Sequence, residues 1–246
     1  VLINDIDIKP LGFSVGWSYG DDLFPTVSYN AVSTPGRPGK RKNKSDIGEK
    51  SRPFRIDIKN CESQEELEQK IEELKGFFKD EKGTLTTAKI QVTDGGRHFY
   101  AVLEGSTPVE RKGSVGKVDI ELVSYDPFTY ENAIQYSLTS FPAGFYCPSG
   151  MYETPPVFTF TFSEGTSDFR VTHLDKTHYV RLLDHSFSAG DELVIDMKDE
   201  VVRVNGSRIN DKITFESDFF SLNAGENNIN VNTAGELMIE YKPRFL

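Results

Sequence analysis

Apolar and polar residues alternate with a period of two along most of this chain, and one stretch alone shifts to a helical period. The clearest alternation is "KVDIELVSY" (117–125), where Val118, Ile120 and Leu122 point to one face and charged residues to the other. "INDIDI" and "TVSYNAV" in the first thirty residues, "FRIDIK" (54–59), "AKIQV" (88–92) and "HFYAVLE" (98–104) read the same way, with "TDGG" (93–96) as a turn. The exception is "SQEELEQKIEELKGFFKDEKG", which predicts a helix over 63–80. Leu67, Ile71, Leu74 and Phe78 form one apolar stripe, Ser63 and Glu66 make a capping box, and Gly83 follows as a stop. From 157 onward no helical period occurs. Strands are expected at 157–163, 168–173, 178–183, 191–197, 200–204, about 207–209, 226–232 and 236–241, and Asn205-Gly206 signals a type I′ hairpin.

Three interruptions organise these elements. "STPGRPGKRKNKSDIGEKSRP" (33–53) has almost no large apolar side chain and predicts a long, mobile loop. Residues 105–116 read as a second loop. In "SYDPFTY" (124–130), Pro127 cannot donate to a ladder, so the strand from Lys117 ends there. Asp126 is suited to accept backbone N–H bonds in the turn, while Phe128 and Tyr130 can pack back on the preceding domain. The Pro-, Gly- and Ser-rich stretch that follows reads as a connection carrying a short strand or two. The expectation is a mainly β protein. An α+β N-terminal domain (1–133, a β-sandwich or split barrel with one helix) precedes a C-terminal β-sandwich domain (134–246), its strands over about 138–242.

Composition narrows the function. With 37% apolar and 27% charged residues over 246 positions, the chain reads as globular, and no stretch reaches the roughly 18–20 apolar residues of a membrane helix. The N-terminus lacks the basic start and apolar core of a secretory signal. Cys61 and Cys147 form no metal or redox spacing and read as ordinary thiols. Formal charge is -10, yet the segment Arg37–Arg52 carries seven basic residues against Asp46 and Glu49, which leaves -15 on the remainder. An acidic body with one basic loop does not favour nucleic-acid binding.

Candidate chemistry is thin. "KGSVGKV" (112–118) lacks the first glycine of a phosphate loop and leads into a strand, not a helix, so it reads as a hairpin turn. His173 and His178 flank "LDKT" and could face each other across strands, with Asp175 or His185 as a further zinc ligand, but surface or cross-strand histidines explain them as well. No nucleophile elbow or Cys-His pairing occurs, and the many carboxylates read as a solvated face. No catalytic residue, metal site or cofactor is assigned. Tyr146, Tyr152, Tyr179 and Tyr241 could offer sugar-stacking surfaces in the second domain, or serve as core and rim residues. The basic loop could be solvated, could bind nucleic acid, or could dock through Arg37, Lys40, Arg41, Lys42 and Lys44 onto an acidic neighbour.

The order of motifs resembles the distal tail proteins of long-tailed, non-contractile phages and related prophages. The resemblance is carried by "TPGRPG" (34–39), "RPFRIDI" (52–58) feeding "LEQKIEELKGFF", "RHFYAVLEG" (97–105), "GKVDIELVSYDPFTY" (116–130) and "DFFSLNAGENNINV" (218–231). It implies a structural, non-enzymatic virion protein without cofactors, made in the host cytoplasm and placed at the tail tip of a phage or prophage-derived particle. The implied assembly is a hexameric ring between the tail tube protein and the tail fibre or tail-associated lysin, with receptor-binding protein docking nearby. The ring domain would carry a loop that embraces the neighbouring subunit, and a second domain similar to galectins and carbohydrate-binding modules would project outward. Six copies carry a formal charge of about -60, so the channel would pass DNA without attracting it. A lectin-like module acting in host-surface adsorption is the alternative, with Tyr146, Tyr152 and Tyr179 as glycan contacts.

Overall fold

The long strand Val115–Ser124 organises the first half of the chain. It pairs antiparallel with Lys50–Ile58 from Gly116↔Ile58 to Ser124↔Lys50. On its other edge it pairs with Val109–Lys112 and then with His98–Glu104. The sheet continues through Ala88–Gln91 and Leu2–Ile3 to Ile6–Asp7 on one side, and through Lys50–Ile58 to Phe13–Trp17 on the other. These coordinates come from a computed structural model that describes residues 1–17, 24–33, 35, 38, 40–92, 96–105 and 107–246, with backbone alone at 17, 30–33 and 40–45. The chain divides into the units Val1–Tyr130 and Glu131–Phe245.

The helix Gln64–Gly76 lays the predicted stripe on this sheet, with Leu67, Ile71, Leu74 and Phe78 buried among Ile56, Ile58, Val118 and Ile120. It is shorter than predicted because Phe77 and Phe78 leave the helix in the turn that follows. Ser63 Oγ accepts from Glu66 N–H at 3.1 Å. The Glu66 carboxylate reaches back one residue beyond the cap, accepting from Glu62 N–H at 2.7 Å. Close approach of helix and sheet depends on Gly116, where an added Cβ would lie 2.9 Å from Leu67 Cδ1. That glycine therefore belongs to a hairpin and a helix contact, with Gly113 at φ +63° completing the turn between Val109–Lys112 and the long strand. Residues 105–116, expected as loop, thus contain a strand.

The second unit is a sandwich of antiparallel sheets. One sheet runs Ile134–Leu138, Gly235–Tyr241, Val157–Phe162, Glu192–Asp196, Val201–Val204, Ser207–Arg208. The other runs Ala143–Cys147, Gly225–Val231, Phe169–His173, His178–Leu182. Phe158, Phe160 and Phe162 from the first sheet and Phe169, Val171, Val180 and Ile229 from the second fill the core between them. Asn205 and Gly206 have φ of 48° and 82°, the positive pair that a type I′ turn needs. Both Ile134–Leu138 and Ala143–Cys147, read as part of a connection, are edge strands of the sandwich.

The expected loop at 33–53 needs correction. Lys40–Ile47 is a strand that pairs with Val27–Ser33 as a hairpin, Val27↔Ile47 at its base and Ser33↔Lys40 near its tip, with a bulge between Asn30 and Ala31. Its sequence, KRKNKSDI, carries no apolar alternation, so periodicity reads it as loop. The far end of the expected loop is different again, since Lys50–Ile58 starts at Lys50, inside the main sheet.

Candidate functional site: a basic arm and an apolar cavity

Among the described residues the hairpin 27–47 forms a two-stranded sheet of its own. Its base is fixed by Gly48 N–H to Thr26 O at 2.7 Å and Thr26 N–H to Glu49 O at 3.0 Å. Phe24, Val27, Tyr29 and Ile47 are exposed along it, Tyr29 at 59% of its full accessibility. Of the docking residues expected from sequence, Lys40, Arg41, Lys42 and Lys44 share the strand Lys40–Ile47, opposite Ser33, Val32, Ala31 and Asn30. Arg37 lies outside the described residues.

Two cations counted with this segment play a different part. Lys50 and Arg52 are buried in the main sheet. The Arg52 guanidinium sits 4.0 Å from the centre of the Phe99 ring and donates to Thr129 Oγ1 at 3.3 Å. Of the seven basic residues counted with the segment, four lie on the hairpin strand.

The tyrosines singled out for sugar contact are scattered. Tyr146 is 66% exposed on one edge strand of the four-stranded sheet, and Tyr179 stands on the opposite edge strand with the Arg170 guanidinium 4.8 Å above its ring. Three strand spacings, about 14 Å, separate those edges. Tyr152 lies off the sheet, bridged to Arg244, whose guanidinium is 5.4 Å from its ring. Tyr241 is in the core. No single stacking platform unites them.

His173 and His178 do pair across strands, but they build no metal site. His173 is fully buried, and its Nε2 lies 3.0 Å from Asn227 Oδ1. That oxygen also accepts from Asn223 N–H at 2.9 Å, while Asn227 Nδ2 donates to Asn223 O at 2.9 Å and Gly225 O at 3.1 Å. Asn227 Oδ1 is thus the acceptor, and His173 is the tautomer that carries its proton on Nε2. Burial pushes the imidazole below its ordinary pKa, against the Asn227 hydrogen bond and the Asp175 carboxylate 3.8 Å from Nδ1. Among the described residues no His, Cys, Asp and Glu cluster could hold a metal, and Cys61 and Cys147 are buried free thiols. No described helix is long and apolar enough to cross a membrane.

Sequence patterning also missed a cavity of about 250 Å³ between the helix and the sheet of the first unit. Its walls include Ile71, Leu74, Phe78, Val118 and Ile120, with Leu85, Lys75 and Lys79 also lining it. Leu85 is 52% exposed. A void of this kind comes from how far the helix stands off the sheet, which periodicity does not encode.

Closure at the Asp-Pro turn is as the sequence suggested. Asp126 accepts from Phe128 N–H at 3.3 Å and from the Tyr130 hydroxyl at 2.6 Å, and Tyr130 packs near the rings of His98 and Tyr100. Asp126 is committed to this clasp, which is structural work and not catalysis.

A sheet-and-helix domain bearing a basic hairpin is followed by an antiparallel sandwich, and the comparison with known families gives the class, a component of a phage tail. Two family profiles meet the chain accordingly: "Phage tail protein RIFT-related domain" over residues 6–124 and "Siphovirus-type tail component, C-terminal domain" over 149–245. The chain belongs to the siphovirus distal tail protein family, whose members are structural and not enzymatic. The distal tail protein of Bacillus phage SPP1 is 28% identical over 130 residues, an alignment spanning 51% of this chain and half the length of that relative. The crystal structure of SPP1 Dit, described as a paradigm of hub adsorption apparatus in phages infecting Gram-positive hosts, covers 100% of this chain and 98% of its own at a TM-score of 0.83 and 16% identity. A chain of the phage p2 baseplate in its activated conformation with Sr aligns more loosely, over 98% of this chain and 94% of its own, with a TM-score of 0.47 and 14% identity.

Proposed function

We propose that this chain is a tail-tip hub protein that assembles as a hexameric ring between the tail tube and the tail fibre or tail-associated lysin, with its second domain as an outward attachment point. The observation that carries this reading is the basic hairpin. A two-stranded hairpin in water is marginal by itself, and this one exposes Tyr29, Val27 and Ile47 while holding Lys40, Arg41, Lys42 and Lys44 on one strand. Such an arm is completed by a second surface, and the acidic remainder of the chain supplies a complementary one on a neighbouring copy or on the tube. Family membership supports assembly with other tail proteins, and the acidic balance suits a channel that passes DNA without holding it. Sugar binding has less support, because Tyr146, Tyr152 and Tyr179 occupy separate places.

Replacing Lys40, Arg41, Lys42 and Lys44 together by Ser tests the reading. Ring formation, followed by negative-stain microscopy of the chain alone and with its tube protein, should weaken and lose its sensitivity to salt. Rings that form unchanged at every salt concentration would refute the docking role.

A further inference from the structure

Phe215 is completely exposed, at 102% of its reference accessibility, and is the most exposed large apolar side chain among the described residues. It does not sit on a loose loop. Thr214 N–H donates to Arg181 O at 3.0 Å, Ser217 N–H to Thr214 O at 3.1 Å, and Asp218 N–H to Tyr179 O at 2.9 Å. Ser217 Oγ accepts from Arg181 N–H at 3.0 Å and lies 3.0 Å from Thr214 Oγ1. A phenyl ring held out on a pinned turn loses little freedom on docking, which is the property of an interface anchor. Exposed carboxylates at Glu216 and Asp218 flank it.

The first domain has the matching hole. Its 250 Å³ cavity is walled by aliphatic and aromatic side chains and carries exposed Lys75 and Lys79. Aliphatic cavities of about 150 Å³ admit a benzene ring, so a phenyl fits. Shape, polarity and charge sign agree: an apolar knob beside carboxylates meets an apolar socket beside the Lys79 ammonium, while Lys75 is paired with Glu72.

We propose that this cavity is the socket for Phe215 of a second copy of the chain. Knob and socket belong to different units of the chain, so the contact is heterologous and links copies head to tail, the kind of interface that closes into a ring or extends as a filament. The inference rests on the reading of the chain as a self-assembling tail component and adds a second interface to the hairpin arm.

Two full-length chains, Glu216→Cys and Lys79→Cys, test it when mixed and mildly oxidised. Both positions are exposed, and matched melting curves would establish that the variants fold. The expected result is a disulfide-linked heterodimer forming at least about tenfold faster than either chain cross-links to itself, with that advantage removed when Phe215→Ser is added to the Glu216→Cys chain. A heterodimer no faster than the self-linked species, or one indifferent to Phe215→Ser, overturns the proposal. The hub reading is judged separately. If Phe215→Ser chains form normal rings that the four-serine arm variant cannot form, the arm stands and the socket falls. If wild-type chains form no assembly even with the tube protein, the hub reading falls whatever the cross-linking shows.

Discussion

Asn227 offers the sharpest test of how the second domain is held together. Its side chain is fully buried and makes four hydrogen bonds, to Asn223 N–H, Asn223 O, Gly225 O and His173 Nε2. Replacing it with Ala strands two donors and two acceptors at a site with little room for water. Each stranded group costs about 1–3 kcal/mol. Relaxation of the 223–225 turn recovers part of that, and a net loss of about 3–5 kcal/mol follows. For a unit of this size, that lowers the melting midpoint by roughly 12–20 °C.

Scanning calorimetry of the full chain measures this directly, with the single Trp17 reporting on the first unit by fluorescence. The transition that moves should be that of Glu131–Phe245, with the tryptophan-reported transition in place. Asn227→Asp refines the test. An aspartate keeps the acceptor for His173 and Asn223 N–H but faces the carbonyls of Asn223 and Gly225 with an oxygen in place of a donor, so it should rescue little at neutral pH. A midpoint for Asn227→Ala within about 3 °C of wild type would refute the reasoning, since it would mean the network is not closed to solvent.

Further outcomes follow from other contacts. Gly235→Ala should cost about 3 kcal/mol, the upper end for overpacking, because its Cβ would lie 2.3 Å from Thr161 O and 2.4 Å from Phe160 Cζ in a strand flanked on both sides; Gly116→Ala, whose one tight contact is the movable end of Leu67, with Ile58 at ordinary distance, should cost less, and urea titrations compare the two. Ser63→Ala removes the cap of the helix and should destabilise the first unit by about 1 kcal/mol, read by far-UV circular dichroism during denaturation. His173 is held neutral by burial, with its folded pKa below the ordinary 6.5, so the unfolded chain binds the additional proton. The second unit should keep the full contribution above about pH 6.5 and lose it as pH falls toward the folded value, whereas His173→Gln, which keeps a donor for Asn227, should flatten melting midpoints across that window; equal slopes for the two chains would contradict the assignment.

Where alternation meets a buried face, the fold was legible. Val118, Ile120 and Leu122 read as one face and are buried together, and the spacing of the sandwich strands survives almost residue for residue. The helix stripe and its serine cap were legible for the same reason, since both are local consequences of period and side-chain chemistry. Edge strands were legible only in outline, as a short strand or two within a connection, without their bounds. Ile134–Leu138 and Ala143–Cys147 each have one neighbour and tolerate Pro, Gly and Ser at their ends, so composition hid those bounds. Lys50 and Arg52 misled for a different reason: long cationic side chains count as loop in a tally, yet Arg52 is inside because an aromatic face and a threonine hydroxyl receive its guanidinium.

The interaction surfaces divide along the same line. Charge is visible in sequence whatever the backbone does, so the basic segment stood out even though its strand was read as loop. What charge could not show is that the segment is a hairpin with its own two-stranded sheet and exposed apolar residues, the features on which the proposed docking role rests. Phe215 was invisible for the opposite reason. It falls between two expected strands, in "ITFESDFF", and its outward aim is set by hydrogen bonds with Arg181, more than thirty residues away. The cavity depends on the standoff between a helix and a sheet that no residue pattern records. Knob and socket emerge from tertiary placement alone, so they mark the surface on which assembly can be tested without touching the basic arm.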